Sequence, residues 1–419
     1  MHPQRLYLMA TAAWFMAFGM QAVVFAWLVT IVLREPAELV GWAQTALLIP
    51  GMLFILVAGS LADRIGPDRQ AMLAQSFAAF TPWLLFAAAW LGWLSFGVMV
   101  VYAVLMGIAQ AFVTPARDGL LNHVAEGRVQ RTVMLTSLFQ FGFQIVGYFV
   151  AGFADAVGVG VMLALQSVVL LVGVLGFALI VRSGVVVRDP AAHRSVLAGV
   201  VEGARTTLGS SVMRLVVLQN VAMACFFMGS FVVCFPLVIR EVFDGSSGDL
   251  AVLNAFNALG LVSTIVVMLR LGYVRRPGRA LLLSQGIGAV VLGSAGLMTN
   301  FPLFVLAVFC WGLCGGLAIP MSRTLMQELA PPEQRARVMS FHAFSFMGAG
   351  PLGTLFCGYL AELYGPQLAI VICGVGMLTV VLLMGATSSL WATQFEPAVA
   401  STGEETADVD DVPSTEPGR

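Results

Sequence analysis

Few side chains of this 419-residue sequence are placed to do chemistry, and those that are would move protons or hold polar groups out of water. His342 lies inside an apolar stretch and is of the one type that titrates near neutral pH. Asp118, Asp155 and Glu362 stand at the ends of apolar stretches, where a carboxylate can exchange a proton with water. Those four are the candidate proton sites. All 22 acidic residues lie at stretch ends, in loops or in the tail, so no carboxylate relay crosses the middle of an apolar stretch. Seven amides do lie in mid-stretch: Gln21, Gln110, Gln140, Gln144, Asn220, Asn254 and Asn257. A polar group facing lipid is costly, so these residues point inward. Each alone fits an ordinary interhelical hydrogen bond, worth roughly 0.6 kcal/mol in a membrane. As a set they line a cavity. Gln140 and Gln144 are spaced to share a helix face, as are Asn254 and Asn257. Phe143, Tyr148, Phe227 and Phe346 lie nearby. Such a cavity is amphipathic and uncharged, suited to a bulky, mostly apolar solute.

Other chemistry is excluded. There is no lysine, hence no glycine-rich phosphate loop with its lysine, and ATP drive is not expected. The six cysteines all lie in apolar stretches. Cys310 and Cys314 share a helix face, but no further ligand joins them, so no metal and no cofactor are expected.

The elements that position these residues are membrane helices. The chain is 59% hydrophobic and 10% charged, against about 25% charged in an ordinary soluble chain. Apolar runs of roughly 20 residues divide it into twelve spans. They cover 6–33, 40–61, 71–93, 97–116, 133–153, 158–181, 212–239, 249–271, 279–299, 302–322, 338–361 and 367–390. With the N-terminus inside and the spans alternating, only Arg34 and Arg240 of the 21 arginines fall outside. That bias is the positive-inside rule, and it puts both termini in the cytoplasm. The first span has no cleavage site behind it and reads as retained. Four parts follow: an N-terminal six-helix half (1–181), a cytoplasmic linker (182–211), a C-terminal six-helix half (212–391) and an acidic tail (392–419) expected to be disordered. Within the linker, Ser195 can cap a short amphipathic helix. The net charge of −1 gives no sign of a nucleic-acid partner.

The chain also repeats itself. Thr114-Pro115-Ala116-Arg117 ends span four, and Ile319-Pro320-Met321-Ser322-Arg323 ends span ten. Gly142, Gly147 and Gly152 recur 206 positions on as Gly348, Gly353 and Gly358. A parallel repeat of six helices builds two halves around a central cavity.

The loop after span two reads Gly59-Ser60-Leu61-Ala62-Asp63-Arg64-Ile65-Gly66-Pro67-Asp68-Arg69. It resembles the loop 2–3 signature of the major facilitator superfamily at Gly59, Asp63, Arg64 and Gly66. Pro67 and Asp68 replace two residues that are usually basic, and Arg69 follows one place late. The resemblance covers positions 6 to 391. It implies an all-α membrane protein of twelve transmembrane helices in two six-helix repeats around a central cavity. It also implies that Gly59, Asp63, Arg64, Gly66 and Arg69 form a latch between the halves on the cytoplasmic side, stabilising the outward-facing state. A plain topology-setting loop is the other reading of these charges. Pro115-Ala116-Arg117 and the segment Pro331 to Met339 resemble the branch containing macrolide and enterobactin exporters. Span five carries Gly147-Tyr148 where exporters often have Gly-Pro, and span four carries Gln110 where many drug antiporters have a buried arginine.

The expected function is secondary efflux of a small amphipathic molecule such as a drug, antibiotic or siderophore. The resemblance implies the proton as coupling ion. An importer, facilitator or lipid transporter on the same architecture is the alternative, and a membrane-embedded transferase a remote one, since no His-Asp or paired-Asp motif supports it. Arginine without lysine, with abundant alanine, glycine and valine, points to a GC-rich bacterial genome. A monomer in a bacterial cytoplasmic membrane is therefore expected, with the lipid bilayer, the substrate and the proton as its partners.

Overall fold

A computed structural model describes residues 2–387 and Trp391, apart from 126–128, 187–195, 272, 273, 275, 332 and 333. Ser195 and the acidic tail lie outside the described residues. Among the described residues, twelve helices are long and apolar enough to cross a membrane. In the first half they are α1 (Pro3–Val32), α2 (Ala37–Ile65), α3 (Pro67–Trp90), α4 (Phe96–Val124), α5 (Val129–Ala151) and α6 (Val159–Ser183). The helix α7 (Val196–Gly209) follows. The second half holds α8 (Ser211–Glu241), α9 (Ser247–Leu271), α10 (Pro277–Ala295), α11 (Phe301–Leu329), α12 (Arg335–Tyr364) and α13 (Pro366–Thr387). Helices are forced here because lipid offers the backbone no hydrogen-bond partner.

Local chemistry ends the helices where the sequence suggests. Gly66, Gly158 and Gly365 take φ of 92°, 85° and 79° in the turns after α2, after a one-turn helix Ala154–Val157, and after α12. Only glycine adopts that backbone without strain. Pro67 and Pro366 then start the next helix, at a position whose N–H has no intrahelical partner anyway. Ser210 and Asn300 cap α8 and α11 by accepting from the N–H groups of Met213 and Leu303.

Two helices run well past their predicted spans. Span four was expected to end at 116, and α4 continues to Val124; span ten was expected to end at 322, and α11 continues to Leu329. Hydropathy marks contact with lipid, whereas helical hydrogen bonding continues beyond the lipid into polar sequence. Asp68, expected in a loop, lies in the first turn of α3 with only 2% of its surface exposed.

Two six-helix repeats enclose a central cavity, and they meet on the side of the molecule poor in arginine. There α2 packs along α12, and α5 against α9. Gly41 and Gly358 make the first crossing close: a β-carbon on Gly41 would stand 2.8 Å from the carbonyl oxygen of Thr354. Deeper in, Thr45 and Thr354 join their hydroxyls at 2.7 Å. On the arginine-rich side α7 bridges to α12, with Glu202 paired to Arg337 and Thr206 donating to Gln334.

Candidate functional site

The second half contains a cavity of about 210 Å³ between α8, α9, α10, α11 and α12. Its walls come from Phe227, Phe231, Trp311 and Phe346, with Met223 and Met228 beside them. Asn257, Ser284 and Gln285 supply its polar groups, and among the described residues no charged side chain lines it. The helix α8 widens here into π-helical turns at Met223–Met228 and Ser230–Cys234. Such turns commonly mark functional sites, and these place Met223, Phe227, Met228 and Phe231 on the cavity wall. Trp311 is held by three aromatic neighbours, its ring 5.6 Å from Phe227, 5.8 Å from Phe231 and 5.7 Å from Phe235. Gln285 accepts from Gln219 and reaches Met223 sulfur at 3.6 Å. The arrangement can take a flat apolar body against the rings and satisfy one or two polar groups at the amides.

The seven amides of the sequence pattern separate once placed. Asn257 lines this cavity, together with Phe346. Asn254, one turn away, donates to the carbonyl of Leu250 on its own helix. Asn220 is buried and donates to the His342 carbonyl and to Ser345 Oγ, both at 3.0 Å. Gln144 donates to Tyr148 Oη at 2.6 Å. Gln21 is buried on α1, while Gln110 and Gln140 are half-buried on α4 and α5. Gln285, Ser284 and Trp311 were not among the expected residues. Gln285 carries the same signal as the others, an amide in mid-span. Trp311 carries a second one, an indole far from the headgroup layers where it is usually found.

The four candidate proton groups take three kinds of place. His342 is 6% exposed, and its Nε2 lies 2.9 Å from Ser322 Oγ. With Asn220 and Ser345 it ties α8, α11 and α12 together, away from the cavity wall. Asp118 is exposed and pairs with Arg117 at 3.1 Å. Arg117 itself is buried, its guanidinium 4.6 Å over the ring of Phe15.

Asp155 and Glu362 lie on the arginine-poor side, where they join the halves. Asp155 Oδ1 accepts from Trp27 Nε1 at 2.8 Å, and its Oδ2 from the Ser247 N–H at 2.6 Å. Ser247 Oγ in turn donates to the Gly152 carbonyl at 3.0 Å and accepts from the Asp155 N–H at 3.1 Å. Glu362 Oε2 accepts from the Ala37 N–H at 2.9 Å and from that of Glu38 at 3.4 Å. Each carboxylate thus sits on the first turn of a helix of the opposite half, where unpaired N–H groups and the helix dipole favour negative charge. A third bridge, from Arg240 to the carbonyls of Thr30 and Glu35, joins α8 to the end of α1.

The latch candidates lie at the opposite end, on the arginine-rich side. Gly59 faces open space, Gly66 forms the positive-φ turn, and Arg64 and Arg69 are exposed. The side chain of Asp63 lies outside the described residues.

Comparisons with known proteins agree with this architecture. A family model described as Major Facilitator Superfamily matches residues 7–354. The multidrug efflux pump Tap of Mycolicibacterium fortuitum is 28% identical over 373 residues, spanning 83% of this chain and 86% of that protein. The crystal structure of a nucleoside transporter, NupG, superposes with a TM-score of 0.71 at 12% identity, covering 92% of this chain and 99% of that one. A bacterial homologue of the human drug peptide transporters PepT1 and PepT2 gives 0.68 at 15% identity, over 92% and 97%. A bacterial homologue of the human lysosomal transporter Spinster, solved inward-facing and unoccupied, gives 0.67 at 14%, over 95% and 99%.

Proposed function

The chain belongs to the Major Facilitator Superfamily and is a transporter, not an enzyme, and we propose that it exports a small amphipathic molecule by proton-driven alternating access. The observation that carries this reading is the uncharged cavity walled by Trp311, Phe227, Phe231 and Phe346, with amides at Asn257 and Gln285. A zwitterion or a phosphate would lose its hydration there without gaining a counter-charge. A drug-like amphiphile loses little and gains ring contacts. The similarity to a multidrug efflux pump supports the same substrate class and the outward direction.

In this proposal residues 1–181 and 212–391 are the two moving bodies, and 182–211 is the linker between them. The arginine-rich side faces the cytoplasm of a bacterial cell, so both termini are inside. Asp155, Glu362 and Arg240 hold the outer side closed. Opening it strips both carboxylates from their N–H partners. The negative charge at each helix end is worth roughly 0.3–2 kcal/mol. Gly59, Asp63, Arg64, Gly66 and Arg69 would then engage as the inner latch.

The test is accumulation of an amphipathic dye. Cells expressing the chain should hold less dye than controls, and an uncoupler should abolish the difference while ATP is maintained. Dye exclusion that survives the uncoupler would replace proton-driven export with a facilitator. Greater accumulation would reverse the direction.

A further inference from the structure

A second cavity, of about 390 Å³, lies outside the proposed transport path. It is a groove floored by α1 and walled by α5 and α6. Those two helices scarcely touch each other, although both pack on α1. The equivalent helices of the other half do meet: α12 packs on α13, with Cys357 and Cys373 sulfurs 3.6 Å apart. The groove thus belongs to the first half, while the second half packs its equivalent helices together. Its walls include Phe143 and Val172, which are 37% and 41% exposed, so it opens sideways toward lipid. Its floor is kept low by Ala12 and Ala13.

One end of the groove is charged. Arg5 lines it at the arginine-rich end, and Met16 lines it at the other. Eleven residues of helix at about 1.5 Å each separate them, roughly 16 Å. That is about half of a ~30 Å hydrocarbon core, the depth of one leaflet. Arg182, exposed in the last turn of α6, stands at the same end. The helices α1 and α6 run in opposite directions, and Gly176 packs on Leu6 and Ala10, so Arg182 lies six residues nearer the surface. Among the described residues, no carboxylate lies within ion-pair distance of Arg5 or Arg182.

We infer that this groove is a binding site for an anionic phospholipid of the arginine-side leaflet. One acyl chain lies along α1 between α5 and α6, and the phosphate meets Arg5 and Arg182. Apolar walls admit the chain and exclude the headgroup. Two cations at the interface favour a negative headgroup over a zwitterionic one. The occupied groove holds α5 away from α6.

The test uses the purified full-length protein in neutral detergent, titrated with phosphatidylglycerol or with phosphatidylcholine of the same chains. Thermal unfolding and native mass spectrometry are the readouts. Phosphatidylglycerol should raise the unfolding temperature and remain bound as a distinct adduct. Phosphatidylcholine should do so much less, and inorganic phosphate should have no effect. Arg5→Gln should weaken phosphatidylglycerol binding about five-fold, while Arg5→Lys should retain most of it. Val172→Trp, which fills the groove from its lipid side, should abolish the shift without lowering the lipid-free unfolding temperature. Equal shifts with both lipids, or a full shift in both Arg5→Gln and Val172→Trp, would overturn the assignment. None of these readouts depends on what is transported or in which direction.

Discussion

Asp155 and Glu362 are counterparts across the internal repeat, and each caps a helix of the other half. Each stands three residues before a glycine of positive φ, Gly158 and Gly365. Asp155 holds the Ser247 N–H at the start of α9, and Glu362 holds the Ala37 N–H at the start of α2. The arginine-poor side is thus closed by the same contact made twice, in opposite senses. Neither half can leave without stripping a carboxylate from a helix end.

Neutralising these caps should shift the conformational balance. Asp155→Asn and Glu362→Gln keep the side-chain size but remove the charge that the helix ends attract. Each should lower the stability of the closed form by about 1 kcal/mol, and the double variant by about 2 kcal/mol, some thirty-fold in population. Spin labels placed near Phe153 and Asp244, read by pulsed dipolar spectroscopy, should show a longer-distance population growing in that order. An unchanged distance distribution in the double variant would remove these residues from the gate.

Asp63→Asn should leave expression and fold intact but cut transport several-fold, because it removes a charge contact specific to one conformer. Dye efflux normalised to membrane protein level is the measurement. Normal efflux would leave the loop from Gly59 to Arg69 with a topological role alone.

The cavity predicts a graded substrate dependence. Trp311→Phe should retain most transport of an aromatic dye, since a ring still packs against Phe227 and Phe231. Trp311→Ala should lose most of it. Asn257→Leu keeps volume but removes the amide. It should weaken binding of substrates that carry a hydrogen-bonding group by roughly 1–3 kcal/mol, and barely affect those without one. Binding titrations with matched dye pairs separate the two cases. Equal losses for both dyes would mean that Asn257 acts through packing.

His342 tests where coupling resides. His342→Gln can still bond Ser322, so the link between α11 and α12 should survive with little loss of thermal stability. If His342 carries the proton, this variant impairs uphill efflux more than downhill leak in vesicles with an imposed pH gradient. If the outer carboxylates carry it, both fluxes stay near normal. His342→Leu leaves Ser322 unpartnered and should lower the unfolding temperature in either case.

Much of this protein is written in one dimension. The number of spans, the arginine bias, the internal repeat and the turn glycines Gly66, Gly158 and Gly365 all follow from windows of about twenty residues and from local backbone limits. A chain in lipid must satisfy its own backbone groups, so an apolar run of that length has one answer, a helix. Helical spacing also pairs Asn254 with Asn257 on one face. It does not say what that face meets. Tertiary structure decided that Asn257 reaches the cavity while Asn254 bonds its own helix, and that Asn220 turns to His342. It brought Gln285 and Trp311 together from separate helices, buried Asp68, parted α5 from α6 beside Arg5, and set Asp155 and Glu362 on opposite helix ends. In a membrane these choices carry little hydrophobic signal, because lipid and protein interior are equally apolar. Close packing and a few hydrogen bonds between distant segments make them, and no single segment records its partner.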